Sequence, residues 1–442
     1  MTAEQARDPN YFPGLASAIP LGIQHVLAMF VSNLTPPIIV AGAAGFGFGS
    51  PDPGELIYMI QMSMLFAGIA TLLQTIGIGP VGARLPLVQG TSFAFIPIML
   101  PIVAGQGVAA MAALSTAALI GGLFHAVLSA FVGRIRFALP PLVTGLVVLM
   151  IGLSLMRIGV QYAAGGVPAI GTPAYGAGVS WLLAGVVVAA TLGLKFFARG
   201  IWSAAAVLLG LLAGYVLALA LGRISFAPVA SAGWVMLPSP FHFGFALSGS
   251  AILGFCLTGF VSSIESIGGV EAICEGSARR PASDREVVGA VSADGLGTAL
   301  AAAFGAMPNT TFSQNVGLIA ITGLMSRHVV TVGAVFLVLC GLAPKIGALV
   351  TTIPIEVLGG GVIVMFGMVA SAALTMLSGV EWSQRNMLIF GVSLSLGLGL
   401  QLEPDAVSHL PETARILLTS GVLPAAFIAV VLNLILPGRA AD

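Results

Sequence analysis

Few ionisable side chains lie inside the long apolar runs of this sequence, and these few are the residues that could do chemistry. Glu265 lies in FVSSIESIGGVEAICEG, where small residues on every helical face allow a ligand or another backbone to come close. An ionisable group in such surroundings is costly unless it is paired or hydrated. Glu265 is therefore our first candidate for binding a polar ligand or a proton, and the alternative is a structural tie.

Asp294 and His25 are the next candidates. Asp294 lies in VSADGLGT, and His25 follows Gln24 early in the first apolar run. An ionisable group at this depth is a functional candidate by default, which applies to Asp294 and to His25 with its neighbour Gln24. Each has a structural alternative, because a buried Asp often serves only to bond a neighbouring helix and a buried His is often a packing residue.

Two of the apolar runs are interrupted by residues that do not favour a helix. The third run contains QGTSF at 89–93, and the tenth contains PNTTFSQN at 308–315. Irregular backbone at membrane depth is tolerated only inside protein or around a cavity. Paired interruptions in the two halves of a chain predict a substrate site at the membrane midplane. The alternative is a pair of kinked packing helices.

The composition indicates what kind of scaffold positions these residues. Of the 442 residues 58% are apolar and 7% are charged, and the mean hydropathy is +1.07, so we expect an integral membrane protein. Sixteen basic residues balance sixteen acidic ones, which leaves no field to attract nucleic acid. The sequence contains no metal-ligand cluster, no nucleophile paired with a base and no phosphate loop. It therefore predicts no metal, no cofactor and no enzymatic activity.

The apolar runs predict an all-α polytopic membrane protein with fourteen transmembrane spans. The lysines and arginines divide 12 against 4 between the two sides if both termini are cytoplasmic, as the positive-inside rule expects. We place the spans at 18–42, 56–79, 91–105, 108–132, 139–160, 177–197, 202–221, 246–276, 286–305, 309–325, 328–346, 353–377, 386–401 and 413–437.

The two halves of the chain resemble each other. TGLVVLMIGL at 144–153 aligns with GGGVIVMFGM at 359–368, and TSF at 91–93 aligns with TTF at 310–312, at offsets of 215 and 219. Because seven spans is an odd number, a second copy of seven enters the membrane inverted, as in many secondary transporters. The alternative is a chance likeness between glycine-rich membrane helices.

Several of these segments match known sequence blocks. A signature of Gln, Asn, any residue and Gly, followed after four residues by Thr and a small or basic residue, is met by Gln314-Asn315-Val316-Gly317 and Thr322-Gly323. The Gln24-His25 pair, GTSFAFIP at 90–97, the Glu265 segment and the Asp294-Gly295 step match further blocks. Over essentially its whole length the chain resembles the nucleobase/ascorbate transporter family, and its motifs are most similar to those of bacterial xanthine and urate permeases.

The resemblance implies an architecture. It implies a core domain of spans one to four and eight to eleven, at 15–135 and 240–346, and a gate domain of the remaining spans, at 136–225 and 347–438. Spans three and ten would each contain a short β-strand. Members of the family commonly form homodimers through the gate domain, and bacterial members lie in the inner (plasma) membrane. Their core moves against the gate like an elevator, driven in most bacterial members by protons rather than sodium.

The resemblance also assigns roles to individual residues. Glu265 corresponds to the carboxylate that accepts ring N–H groups of the base, and Gln314 to the amide that reads its opposite polar edge. Phe93 matches the aromatic residue beside the base. Ser92 corresponds to the hydrogen-bonding neighbour of this aromatic residue, and the main chain at Ser313 and Phe93 would make further contacts to the base. Asn315 corresponds to an amide that supports the site. Asp294, His25 and Gln24 correspond to the polar network around it.

The implied function is uptake of an oxidised purine, xanthine or urate, by proton symport with Glu265 as the proton carrier. Gln314 favours purines, because uracil carriers usually have Glu at this position; uracil:proton symport is the alternative. Anion transport, which the same architecture performs in other families, is more distant, because the sequence places no Lys or Arg beside Glu265. The chain departs from many relatives at Gly269, where they have Asp.

Overall fold

The computed structural model of the protein describes residues 2–48, 50, 53–135, 140–312, 315, 318–319 and 322–437. Within these residues its α-helices and strands are α1 (Ala3–Arg7), α2 (Leu15–Ala44), α3 (Gly54–Ile76), β1 (Gln89–Thr91), α4 (Ile96–Val103), α5 (Ala110–Leu128), α6 (Val132–Ile135), α7 (Pro141–Ala163), α8 (Gly178–Phe197), α9 (Ile201–Ala204), α10 (Ala206–Ala220), α11 (Ala227–Ser231), α12 (Gly249–Ile273), α13 (Asp284–Ala303), β2 (Asn309–Thr311), α14 (Arg327–Gly341), α15 (Pro344–Thr351), α16 (Ile355–Leu377), α17 (Gln384–Leu402), α18 (Glu412–Thr419) and α19 (Val422–Ile435).

The helices are those of a multi-pass membrane protein. Eight helical segments of the described chain are long and apolar enough to cross a membrane alone, and the number is ten if each of two bent pairs counts as one span. The bent pairs are α14 with α15, at 78°, and α18 with α19, at 82°. The other predicted spans fall on elements that are shorter or more polar, such as β1 with α4 and the whole of α13. The total of fourteen spans stays a prediction.

One set of elements, which we call the first helix group, consists of α2 to α5, β1, α12, α13, β2 and α14. Within it α3 packs along α14, and α5 packs against both α12 and α13. The crossing of α5 and α13 is very close, since a Cβ added at Gly295 would lie 2.7 Å from Ala126 Cα and 2.8 Å from Gly122 O. Small residues of this kind let helix backbones approach in a membrane, where van der Waals packing drives helix association.

The other set, the second helix group, consists of α7 to α10 and α16 to α19. Its centre is the long contact between α7 and α16, and α8, α10, α17 and α19 pack around this pair. Contacts between the two groups are made mainly by α2, which touches α9, α10 and α16, and by α12, which touches α7, α18 and α19. A cleft between the groups is therefore bordered by α2 and α12 on one side and by α7 and α16 on the other.

Two short strands lie in the first helix group, within the interrupted segments of the sequence. β1 and β2 pair antiparallel, with Gln89 opposite Thr311 and Thr91 opposite Asn309. The pairing is extended by two backbone hydrogen bonds, from Phe312 N–H to Val88 C=O at 2.9 Å and from Ser92 N–H to Pro308 C=O at 2.8 Å. All six strand residues are buried, so their polar groups need partners inside the protein.

The tight crossing of α5 and α13 gives a stability prediction. Gly295→Ala should lower the free energy of unfolding by about 1–3 kcal/mol, because its methyl group meets backbone atoms and forces the helices apart. Gly193→Ala on α8 is the matched control, since a Cβ there has no atom within 4 Å. The measurement is the melting temperature of each detergent-solubilised variant by size-exclusion chromatography. Equal melting temperatures for the two variants would contradict the packing described here.

Candidate functional site

Each strand is fastened to the preceding helix by a threonine. Thr71 Oγ1 on α3 accepts a hydrogen bond from Gln89 N–H at 2.9 Å and contacts Gln89 C=O at 3.4 Å. Thr298 Oγ1 on α13 accepts from Asn309 N–H at 3.0 Å and donates to Asn309 C=O at 3.1 Å. The Thr298 hydroxyl thus serves both backbone groups of Asn309, whereas the Thr71 hydroxyl serves the N–H of Gln89 and donates its short hydrogen bond to Ala67 C=O at 2.7 Å. This arrangement supplies partners to backbone groups that three-residue strands leave unpaired.

The Asp294 carboxylate is the junction of this region. It lies on α13, is fully buried, and accepts hydrogen bonds from Gln89 Nε2 on β1 and Ser266 Oγ on α12. Further donors are Thr311 Oγ1 at 3.1 Å, Thr311 N–H at 3.4 Å and Gln74 Nε2 at 3.4 Å. A carboxylate has two oxygens and only accepts, which suits a position that donors approach from four elements. Asp294 thus performs the helix-bonding role that was its structural alternative.

Glu265 is held differently. Its helix is held by bonds on both sides of Glu265. Ser262 Oγ donates to Thr310 Oγ1 on β2 at 3.2 Å, and Ser266 Oγ donates to Asp294 on α13. The Glu265 side chain itself is partly exposed to a cavity, and no hydrogen bond or ion pair joins it to another described residue. The carboxylate is therefore positioned by its backbone, and none of the described residues bonds its oxygens.

The cavity at Glu265 has a volume of about 320 Å³ and lies in the cleft between the two helix groups. From the first group it is lined by Ala28, Val31, Ser32, Phe93, Glu265, Thr310, Phe312 and Leu318. From the second group it is lined by Val148, Ile151, Lys195, Ser203, Ala204, Ala206, Val207, Met368, Val369 and Ala372. An apolar pocket of this size with a few polar groups is typical of sites for small organic molecules.

Phe93 gives the cavity an aromatic wall. It follows β1 directly, and its ring meets that of Phe366 on α16 edge to face, with centroids 5.3 Å apart. This contact between the helix groups fixes the orientation of the Phe93 ring. Glu265 and Phe93, which are 172 positions apart in the sequence, therefore line one cavity.

His25 and Asn315 form a separate contact behind the cavity. Asn315 Nδ2 lies 3.1 Å from His25 Nδ1 and donates to His25 C=O at 3.0 Å. Both side chains are buried, and neither is among the described residues that line the cavity. The pair joins α2 to the chain beyond β2. These two predicted site residues therefore contact each other but do not belong to the described lining of the cavity.

The remaining predicted residues are placed as follows. Ser92 is fully buried, and its Oγ accepts a hydrogen bond from Ala94 N–H at 3.3 Å. It is not among the described residues that line the cavity. Gln24 is buried on α2. Ser313 and Gln314 lie outside the described residues.

Lys195 is the main residue of the cavity that sequence reasoning missed. The sequence placed no Lys or Arg beside Glu265, but Lys195, in the last turn of α8, belongs to the same cavity lining. A lysine at the end of an apolar run usually indicates only the hydrated end of a span, so nothing in the sequence singled it out. Ser32, Ser203 and Thr310 are the other polar lining residues that had no assigned role.

Gly269, the position at which the chain departs from many relatives, lies one turn beyond Glu265. A Cβ at residue 269 would lie 3.3 Å from Thr311 Cγ2, which is tighter than an ordinary contact. The glycine lets α12 pack closely on β2 beside the Asp294 junction. An aspartate here would add another carboxylate to a region that already contains Glu265 and Asp294.

Comparison with known proteins decides the family. The model of the Xan_ur permease family, described as a permease family, matches residues 16–406. The chain belongs to this permease family. The permease is therefore a membrane transporter and not an enzyme, as its sequence predicts.

Curated relatives and solved structures agree with this assignment. The permease is 38% identical to the uric acid permease PucK of Bacillus subtilis, covering 93% of this chain and 94% of the relative. It is 34% identical to the xanthine permease XanP of Escherichia coli, over 96% and 93% of the two chains. The transmembrane domain of the cyanobacterial bicarbonate transporter BicA has the same fold, with a TM-score of 0.59, 15% identity, and coverage of 93% and 97%.

The different environments of the two carboxylates give a second prediction. Asp294→Asn should lower the free energy of unfolding by at least about 2 kcal/mol, because an amide group would face donors and leave them unpaired. Glu265→Gln should change it by no more than about 0.5 kcal/mol, because no described residue bonds this side chain. The melting temperature of each variant, measured without ligand, reports the change in its free energy of unfolding. A larger loss for Glu265→Gln than for Asp294→Asn would contradict the Asp294 junction.

Proposed function

We propose that the permease is a secondary active transporter that takes up an oxidised purine, xanthine or urate, together with a proton. The observation that carries this proposal is the Glu265 carboxylate, which no described residue bonds, in a cavity that Phe93 also lines. The names of relatives along the whole chain, among them a uric acid permease and a xanthine permease, support the substrate class.

The chemistry of the site suits a planar heterocycle. An oxidised purine carries N–H and C=O groups around its edge and two aromatic faces. Glu265 would accept ring N–H groups, the Phe93 ring would contact a face or edge of the base, and Thr310 and Ser32 offer hydroxyls to its polar edge. Gln314, which the family resemblance assigns to the opposite edge, would distinguish purines from uracil.

Proton coupling follows from the difference between the two carboxylates. Asp294 is surrounded by hydrogen-bond donors, so its charge is satisfied within the protein. Glu265 has no such partners among the described residues, and an ionised carboxylate closed off from water would be costly. We propose that Glu265 binds a proton with the substrate and releases it after the cavity reopens. In this scheme Asp294 positions the strands and α12, while His25, Asn315 and Gln24 support the site from behind.

We further propose that the first helix group is the core domain, within residues 15–135 and 240–346. The second helix group is then the gate domain, within residues 136–225 and 347–438. The cleft position of the cavity supports movement of one group against the other as the transport step. The threonine contacts support an inverted repeat of two times seven spans, since Thr71 and Thr298 bond the first residues of β1 and β2 in corresponding ways. We also propose that both termini are cytoplasmic and that two copies of the permease form a homodimer through the gate domain.

Transport by the purified protein tests the substrate and the coupling ion. Proteoliposomes with an acidic exterior should accumulate radiolabelled xanthine or urate above the external concentration, and collapse of the pH gradient should end accumulation. Guanine and uracil serve as competing substrates. Selective accumulation of uracil would overturn the purine assignment, and accumulation that persists without a pH gradient or requires sodium would overturn proton symport.

Glu265→Gln should abolish proton-driven accumulation, because the amide cannot exchange a proton. Glu275→Gln is the matched control, since it makes the same chemical change ten residues further along, outside the described lining of the Glu265 cavity. Uptake with and without an imposed pH gradient is measured for both variants after their melting temperatures are compared. Concentrative, pH-dependent uptake by Glu265→Gln would remove Glu265 from the role of proton carrier.

A further inference from the structure

The cavity contains two side chains of opposite charge. Glu265 and Lys195 both belong to its lining, and they come from different helix groups. Lys195 is exposed at the end of α8, whereas Glu265 is partly buried in the middle of α12. The exposed Lys195 therefore marks an open end of the cavity.

The Lys195 ammonium has no acidic partner among the described residues. The ion pairs of the described chain are Arg223 with Glu356, His242 with Glu55, and Arg280 with Glu286. Glu356 is the carboxylate that contacts α8, but it does so at Ser180, with an Oγ to Oε1 distance of 3.4 Å. Ser180 lies fifteen residues before Lys195, which corresponds to about 22 Å along a helix.

The local backbone supports this position of Lys195. Ser203 Oγ on α9 donates a hydrogen bond to Lys195 C=O at 3.4 Å, which joins the end of α8 to the next short helix. Ser203 also lines the cavity, so the turn between α8 and α9 forms part of the cavity wall. The carbonyl groups at the end of α8 favour a cation here. Lys195 therefore places a positive charge at the open end of the cavity.

The charge balance of the cavity depends on which form of the substrate enters. When Glu265 carries a proton, the cavity lining has a net charge of +1, which comes from Lys195. A monoanionic purine restores neutrality, whereas a neutral purine leaves the charge uncompensated in a poorly hydrated site. Urate is a monoanion at neutral pH, and xanthine in mildly acidic solution is mostly neutral.

We propose that Lys195 is a specificity-determining residue that selects the anionic form of an oxidised purine. This inference rests on the proposed function. One consequence is that symport of a urate monoanion with one proton moves no net charge across the membrane. Lys195 stabilises the anion within the cavity, and Glu265 remains the group that exchanges the proton.

The test compares Lys195→Gln with Lys195→Arg, which keeps the charge. Uptake of urate and xanthine is measured in proteoliposomes in the same mildly acidic buffer, where the two substrates differ in charge. For Lys195→Gln the ratio of the urate KM to the xanthine KM should rise about tenfold relative to the wild type, because the positive charge that balances the anion has been removed. Lys195→Arg should keep the wild-type ratio, and high salt should shrink the difference between the Gln variant and the wild type.

A second measurement addresses the net charge. Urate uptake by the wild type should respond to an imposed pH gradient but not to an imposed membrane potential. An unchanged KM ratio in Lys195→Gln, or a potential-dependent uptake of urate, would overturn the role of Lys195. Failure of the wild type to transport any purine would instead overturn the proposed function, so the two failures are distinguishable. Melting temperatures of both variants report on folding.

Discussion

The burial of polar backbone at the meeting of β1 and β2 is the constraint on which the rest of the structure depends. Two three-residue strands cannot satisfy all their own N–H and C=O groups, and a membrane offers no water in their place. Asp294 and the hydroxyls of Thr71 and Thr298 supply the missing partners. Because the Asp294 junction also bonds α3 and α12, it fixes the strands and the helix of Glu265 as one unit.

This constraint explains why two buried carboxylates of one protein have different environments. Asp294 is surrounded by donors and is satisfied as an anion, so a change in its charge would disturb four elements at once. Glu265 lies only one residue from Ser266, yet it faces the cavity and has no bonding partner among the described residues. A group without structural duties can change its protonation state without loosening the fold. On α12, Ser266, which bonds the Asp294 carboxylate, and Glu265, which faces the cavity, are therefore adjacent residues.

The fold and the site make separate contributions to function. BicA, a bicarbonate transporter by name, has the same architecture at 15% identity, so the arrangement of helices does not determine the substrate. In this permease the side chains that line the cleft combine a carboxylate, an aromatic ring and a lysine. The lysine comes from the second helix group and the carboxylate from the first. Movement of one group against the other would therefore change the distance between the two charges.

The sequence by itself determined the membrane class, the two interrupted segments and the candidacy of Glu265, because apolar runs, helix breakers and isolated charges are local features that lipid makes costly or informative. The candidacy of Phe93 came from the family resemblance. Only the tertiary structure decided that Asp294 bonds Gln74 and Gln89, which precede it by 220 and 205 residues, and that Lys195 lines the cavity of Glu265. Hydrogen-bond partners and cavity walls depend on which helices become neighbours. That choice is made by close packing across the whole chain, and no short stretch of sequence contains it.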